Sequence, residues 1–252
     1  MTIAQMDPWL IPDWPAPTNV HARVTTRQTP GISAAPHDLC NLGNRCGDDD
    51  AAVASNRASL KSLFNLPADP RWLRQVHGIG VMDADASNLA VEPQADAAVS
   101  RSAAVVLAVL SADCLPVLFC SSDGREVAAA HAGWRGLAAG VLEATLASMQ
   151  SEPGRILTWL GPSIGPASYE IGEEVRQAFV DHDPASDAAF KATRPGRWQC
   201  DLPALARLRL RNSGVAEISG GGFDTRRDRR FYSYRRDPLS GRFASLIWRS
   251  DF

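Results

Sequence analysis

Residues 105–136 read VVLAVLSADCLPVLFCSSDGREVAAAHAGWRG, and this stretch decides the fold. Three apolar, partly β-branched runs, 105–110, 116–120 and 126–130, are divided by turn residues such as Ser122-Asp123-Gly124, the pattern of buried strands in a hairpin-rich or mixed sheet. Just beyond them, residues 136–150 place Leu137, Val141, Thr145 or Leu146, and Met149 on one face, which predicts a helix packed on that sheet. Outward from this centre, strand-like and helix-like segments alternate. Residues 20–26 read as a strand, 49–63 as a helix with Val53, Arg57 and Leu60 at helical spacing, 72–76 as a short strand, and 156–160 as another. Helices are expected over 173–179, where Glu173 and Glu174 suit the positive end of the dipole, and over 203–211. Residues 231–235 and 243–248 read as a closing hairpin over the turn Asp237-Pro238-Leu239-Ser240-Gly241. The fold class predicted is α/β: a single compact domain over 20–252 with a mixed β-sheet packed by helices, after a proline-rich N-terminal extension over 1–19.

Composition narrows the function. The 252 residues carry 26 basic and 28 acidic side chains, a net charge of −2, which argues against a protein that coats nucleic acid or an anionic membrane. At this length a compact fold buries roughly 70% of its unfolded surface and needs no disulfide staples. Five cysteines without a recognisable export signal point to a reducing cytoplasm. The most apolar run, 103–110, is strand-sized and too short to cross a bilayer. All the basic residues except Lys61 and Lys191 are arginine, which suits bidentate capture of phosphate or carboxylate, although a genome-wide preference for arginine gives the same count. Segment 224–237 holds six arginines interleaved with Phe231, Tyr232 and Tyr234, a pattern that stacks bases. Its own Asp224, Asp228 and Asp237 favour a solvated hairpin face, so neither a nucleic-acid nor a membrane partner is expected.

Three residues fall at predicted strand ends: His77, Cys114 and His131. If they converge, they form a three-ligand set with one place open, the pattern of catalytic rather than structural zinc. The intervals of 37 and 17 residues match no local metal motif, and taken singly each residue also reads as a hydrogen-bonded or packing side chain. Gly78, Gly133 and Gly136 permit close approach beside the candidates, and Asp113 is placed to orient a histidine. A thiol and two histidines equally permit a metal-free thiolate nucleophile with histidine as its base.

These residues sit in blocks that carry a resemblance. Gln75-Val76-His77-Gly78, Ala112-Asp113-Cys114-Leu115-Pro116, His131-Ala132-Gly133-Trp134-Arg135-Gly136, Gly161-Pro162-Ser163-Ile164-Gly165 and Tyr232-Ser233-Tyr234-Arg235-Arg236 resemble, in order, the signature blocks of the YfiH family. Asn41-Leu42-Gly43, Gly47-Asp48-Asp49 and Asn56-Arg57 resemble its N-terminal block. The family is variously described as laccase-domain or polyphenol oxidase protein, purine nucleoside phosphorylase, and peptidoglycan editing factor. The resemblance implies that His77, Cys114 and His131 bind one zinc, or copper in its place, in a fold related to toxin-type cysteine deamidases of the CNF kind. It also implies phosphorolysis of adenosine, inosine and methylthioadenosine to a ribose 1-phosphate and free base, with deamination of adenosine; Asp113, next to Cys114, is a fourth catalytic candidate. The chain departs from the pattern at Asp224-Thr225, where many members have Cys-Thr, and at Pro30-Gly31-Ile32-Ser33, where many have Gly-Gly-Val-Ser.

The activities implied make different demands. A multicopper oxidase needs a blue-copper centre and a three-copper cluster, and after His77 and His131 only His21, His37 and His182 remain, too few and too scattered. Copper-dependent polyphenol oxidation is then a side reaction at the same site. Deamination suits an open metal site that activates water, although the His-x-Glu and Pro-Cys-x-x-Cys signature of cytidine-type deaminases is absent. Phosphorolysis needs a cationic pocket, for which Arg135 beside a predicted helix start, Arg57 and Arg27 are candidates, each with a surface ion pair as its alternative. Asn41, Gln75, Ser163 and Tyr169 complete the candidate substrate-binding set. A cysteine-dependent amidase acting on peptidoglycan precursors and a zinc-stabilised binding module are the alternatives, the latter expecting a fourth protein ligand. The expected partners are a purine nucleoside and phosphate; the oligomeric state is not legible in the sequence.

Overall fold

Along Leu115–Ser121 every side chain is buried, and successive ones face different cores: Leu115, Val117 and Phe119 pack into one, Leu118 and Cys120 into another. A strand buried on both faces needs a layer on each side, and the computed structural model, which describes residues 8–86 and 92–251, supplies them. A six-stranded mixed sheet runs β13 (Glu217–Gly220), β9 (Ile156–Leu160), β7 (Leu115–Ser121), β8 (Val127–Ala132), β5 (Ala97–Ser100), β4 (Val81–Asp83). A five-stranded sheet runs β1 (Trp9–Leu10), β2 (Val20–Thr25), β14 (Phe243–Arg249), β6 (Val106–Ser111), β3 (Pro70–Arg71). Val20, Val24, Leu107, Val109, Phe243 and Ile247 of the second sheet meet Ala98, Leu118, Cys120, Val127 and Ala129 of the first to form the core between them. The opposite face of β6, Val106 and Ala108, packs on Leu60 and Phe64 of α1 (Asp50–Phe64), whose first turn is capped by the Asp49 carboxylate.

The outer face of the six-stranded sheet is covered by α2 (Trp134–Ala139), α3 (Val141–Ser148), α4 (Glu173–Val180) and α5 (Leu202–Asn212), through Leu137, Val141, Leu142, Val175, Phe179, Leu205 and Leu210. A small antiparallel sheet of β10 (Glu170–Gly172), β12 (Arg197–Cys200) and β11 (Phe190–Arg194) adds Ile171, Phe190 and Cys200 to that core. The result is a single α/β domain of four layers, helix, sheet, sheet, helices.

Several elements differ from the sequence reading. The helix expected over 136–150 is two helices, because Gly140 at φ 104° ends α2 with its N–H on the Gly136 carbonyl and accepts from Ala144 to begin α3. Residues 231–235 are turns rather than a strand: Phe231 and Tyr232 are fully buried anchors, and the Tyr232 hydroxyl donates to the His37 carbonyl at 2.7 Å. No strand forms over 72–76: β3 ends at Arg71, and the segment keeps only an isolated bridge between Arg74 and Gln94. Within the N-terminal extension, Trp9–Leu10 pairs antiparallel with β2, so that part of it belongs to the sheet, while residues 1–7 lie outside the described ones. Among the described residues no helix is long and apolar enough to cross a membrane.

Candidate active site

The antiparallel pairing of β7 with β8 sets Leu115 opposite Ala132 and Pro116 opposite His131, so Cys114, just before β7, and His131, near the end of β8, meet at one end of the sheet. His77 arrives from the loop before β4, with its backbone at φ 59°. Asp96, just before β5, explains how these elements are tied. Its Oδ2 accepts the backbone N–H groups of Val76 and Gly78 at 3.1 and 2.7 Å, its Oδ1 accepts that of His77 at 2.9 Å, and its carbonyl accepts the His131 N–H. The same Oδ1 takes His131 Nδ1 at 2.9 Å, and the Asp96 side chain is wholly buried. With Nδ1 committed to a carboxylate, His131 has Nε2 left for a ligand.

The ligand atoms of His77, Cys114 and His131 lie within 4.8 Å of one another, with Cys114 Sγ 3.8 Å from His77 Nε2. Gly133 makes this approach possible: a Cβ there would sit 2.8 Å from His77 Cδ2 and 3.0 Å from Cys114 Sγ. Burial pushes the Cys114 thiol up, but the charge and hydrogen bond of His131 and the hydrogen bond of His77 outweigh it and lower the pKa to about 6. Burial pushes the His131 imidazole down, and the Cys114 thiolate and Asp96 carboxylate outweigh that, so its pKa is raised. A thiolate and two imidazole nitrogens this close suit a single zinc or copper ion, whose bonds to such donors run about 2.0–2.3 Å. Among the described residues this is the one cluster of at least three histidine, cysteine, aspartate or glutamate donors.

The donors open into a cavity of about 490 Å³ whose wall includes Trp134, Arg135, Tyr169, Tyr234, Arg235 and Arg242. A family model described as multi-copper polyphenol oxidoreductase laccase matches residues 21–250. A Pseudomonas aeruginosa protein named purine nucleoside phosphorylase is 51% identical over 248 residues, 98% of this chain and 100% of its own length. An Escherichia coli protein named purine nucleoside phosphorylase YfiH is 48% identical over 244 residues, covering 96% and 99% of the two chains. The chain belongs to the YfiH family. A Neisseria meningitidis protein of known crystal structure superposes with a TM-score of 0.93 at 44% identity, covering 97% of this chain and 100% of that one.

The histidines outside the cluster have other uses in this YfiH-family chain. His21 Nε2 pairs with Ser250 Oγ at 3.2 Å and its ring stacks at a tilt on Trp248, while His37 Nε2 donates to the Cys46 carbonyl at 3.1 Å. His182 follows α4, its N–H on the Phe179 carbonyl.

Of the substrate-binding candidates, Gln75, Arg135 and Tyr169 line the cavity, as does Asp113. Asp113 does not orient a histidine: at φ 98° its Oδ1 accepts Thr225 Oγ1 and its Oδ2 the Arg235 N–H, each at 2.6 Å, so it fixes the turn into Cys114. Arg57 does not line the cavity; it stacks on Trp72, donates from Nε to the Leu42 carbonyl at 2.8 Å and pairs with Glu92 at 2.6 Å. Arg27 likewise turns away, to Asp38 and the Tyr232 ring. Asn41 is fully buried and holds the loop behind the cavity wall, accepting from Gly43 and Arg242 N–H groups. Ser163 is buried just outside the lining, its carbonyl accepting from Thr225. Asp224 clamps the loop after β9 through Gly165 N–H and Ser168 Oγ. The sequence reading missed Asp96, yet a carboxylate set among Ala95, Ala97, Ala98 and Val99 had to be paired, and that was the available signal.

Proposed function

We propose that this chain is a metal-dependent purine nucleoside phosphorylase that cleaves adenosine, inosine and methylthioadenosine with phosphate, and that it also deaminates adenosine. The observation that carries the reading is one cavity joining the His77-Cys114-His131 donors to aromatic and cationic walls. Its relatives' names, purine nucleoside phosphorylase, support the phosphorylase part of it. His77 Nε2, Cys114 Sγ and the Nε2 of His131 would hold the ion, and a three-ligand set with one place open is the pattern of catalytic zinc, with copper able to take the same donors. Bound by these donors, the ion would supply positive charge able to polarise a bound atom or activate water.

The chain's own residues do the rest. Asp96 keeps His131 in one tautomer and one orientation. Trp134, Tyr169 and Tyr234 offer faces for a purine, and Tyr234 is 55% exposed at the cavity wall. Arginine neutralises phosphate as its oxygen bonds to the anomeric carbon and the glycosidic bond breaks. Hydrogen phosphate brings the proton that the departing base takes up, so the reaction balances without a further reagent. Arginine charge beside the phosphate stabilises the separation of charge as the bond breaks.

A second reading is favoured by the order Cys114, His131, Asp96, which is that of nucleophile, base and orienting carboxylate. It predicts a metal-free amidase on peptidoglycan precursors. Incubation of zinc-loaded protein with adenosine and phosphate, resolving adenine, inosine and hypoxanthine beside Cys114→Ser, separates the two. Adenine release lost in the variant and in chelator, and restored by zinc, supports the phosphorylase. No purine product, with an acyl adduct on Cys114 after exposure to a peptidoglycan precursor, supports the amidase.

A further inference from the structure

Four arginines line the cavity: Arg45, Arg135, Arg235 and Arg242. Arg45 is paired, its guanidinium 3.1 Å from Glu92. Among the described residues the other three have no carboxylate partner, unlike Arg176, which pairs with Glu173 and Asp187, or Arg209, which pairs with Glu143. Each of the three is instead laid near an aromatic ring of the same wall: Arg135 at 4.5 Å from Trp134, Arg235 at 5.1 Å from Tyr169, Arg242 at 6.0 Å from Tyr234.

Two of them are further fixed by one edge only. Arg235 donates from Nη1 to the Glu170 carbonyl at 2.9 Å, and Arg242 from Nη1 to the Ser240 and Gly241 carbonyls at 2.6 and 2.9 Å. Their Nε and Nη2 groups, the fork that matches an oxyanion in two parallel hydrogen bonds, have no protein acceptor among the described residues. Among the described residues Asp113 is the one carboxylate on the cavity wall, and both its oxygens are committed to Thr225 and to the Arg235 backbone, which leaves the side chain of Arg235 free of it. The same backbone bond ties Arg235 to the turn that carries Cys114.

We propose that Arg235 and Arg242, assisted by Arg135, form the phosphate subsite of this cavity. The proposal rests on the phosphorolysis reading and sharpens it, moving the anion from Arg57 and Arg27, which face away, to guanidiniums that face the donors' cavity. The ligand chemistry is a tetrahedral phosphoryl dianion, either free inorganic phosphate or the monoester of a phosphorylated nucleoside.

The test uses zinc-loaded wild type, Arg235→Gln, Arg242→Gln and the matching Arg→Lys variants, titrated calorimetrically with inorganic phosphate and, in a separate arm, with adenosine 5′-monophosphate. Each Gln variant is expected to weaken phosphate about tenfold or more, with the Lys variants between it and wild type, because a charged fork is replaced by a neutral amide. The Lys variants keep charge and bulk, so they read the subsite even if a Gln variant folds poorly. Weaker phosphate with the adenosine KM held within about twofold supports a phosphate subsite rather than general damage, which would move both. Tighter, arginine-dependent binding of the monophosphate assigns the subsite to an ester phosphate, and its failure to bind assigns it to the free anion. Phosphate affinity unchanged in both Gln variants, or absent in wild type, overturns the proposal. Wild type that binds phosphate through these arginines yet releases no adenine keeps the subsite and removes the phosphorylase reading.

Discussion

Cys114 and Asp96 show how single residues are set for chemistry. Cys114 is the cysteine whose thiol burial fails to silence, because His131 and His77 hold the thiolate; Cys40 and Cys120, buried without such partners, are pushed up to about 12. In metal-free protein, iodoacetamide should therefore alkylate Cys114 selectively, with a rate that falls as pH drops through about 6 and the thiolate is protonated. His131→Ala should move that midpoint toward the ordinary thiol range, near 8.5; a midpoint that stays in place in the variant would contradict the pairing. Asp96 makes the complementary prediction. Its carboxyl is buried, which raises its pKa, but hydrogen bonds from His131, Gly78 and Val76 hold it below the usual carboxylate range. Its stabilisation is thus fully present above the ordinary carboxylate range and lost as pH falls below that range through its own lowered pKa. Asp96→Asn should cost about 2–3 kcal/mol by leaving backbone donors poorly served, flatten the acid limb of stability, and weaken zinc about 10–100-fold by freeing the His131 ring. Urea unfolding across pH and a zinc competition titration read these separately.

At the scale of elements, the short link between β8 and α2 does the work of bringing donors together. Gly133 has an ordinary backbone, φ −63°, so Gly133→Ala is not strained; its added methyl meets His77 and Cys114 instead. The expected result is a folded protein with far-ultraviolet circular dichroism unchanged, zinc affinity lower by about tenfold or more, and turnover reduced in step. Full zinc affinity in that variant would mean that the donors have room the structure does not show. How much of this was legible in sequence follows the same physics. The runs over 105–110, 116–120 and 156–160 were readable because strands buried on both faces are continuously apolar, and α1 because its buried stripe keeps one period. The break at Gly140 and the turns over 231–235 were not, since one left-handed glycine and two buried aromatics leave the apolar periodicity intact while changing the backbone path. His77, Cys114 and His131 were legible from their strand-end positions and surrounding blocks, whereas the placement of Arg57, Arg27 and Asp113 depended on partners, Glu92, Asp38 and Thr225, remote in sequence or hidden by the fold.

Across the whole molecule, the cavity has walls from segments as far apart as Gly43, His77, Cys114, His131, Tyr169 and Arg242. Its geometry therefore exists only when the two sheets and their helices are assembled, and an ion held at its floor stabilises the entire fold rather than one loop. Zinc at about 1,000 times its dissociation constant should add roughly 4 kcal/mol, less whatever it gains by binding the unfolded chain. For a chain of this size that corresponds to a rise in melting temperature of roughly 8–16 °C. Calorimetric scans of chelator-treated protein with and without zinc measure it, and His131→Ala sets the control, since the shift should vanish when one donor of three is removed. A shift of equal size in that variant would place the ion elsewhere on the chain, and with it the chemistry assigned to this cavity.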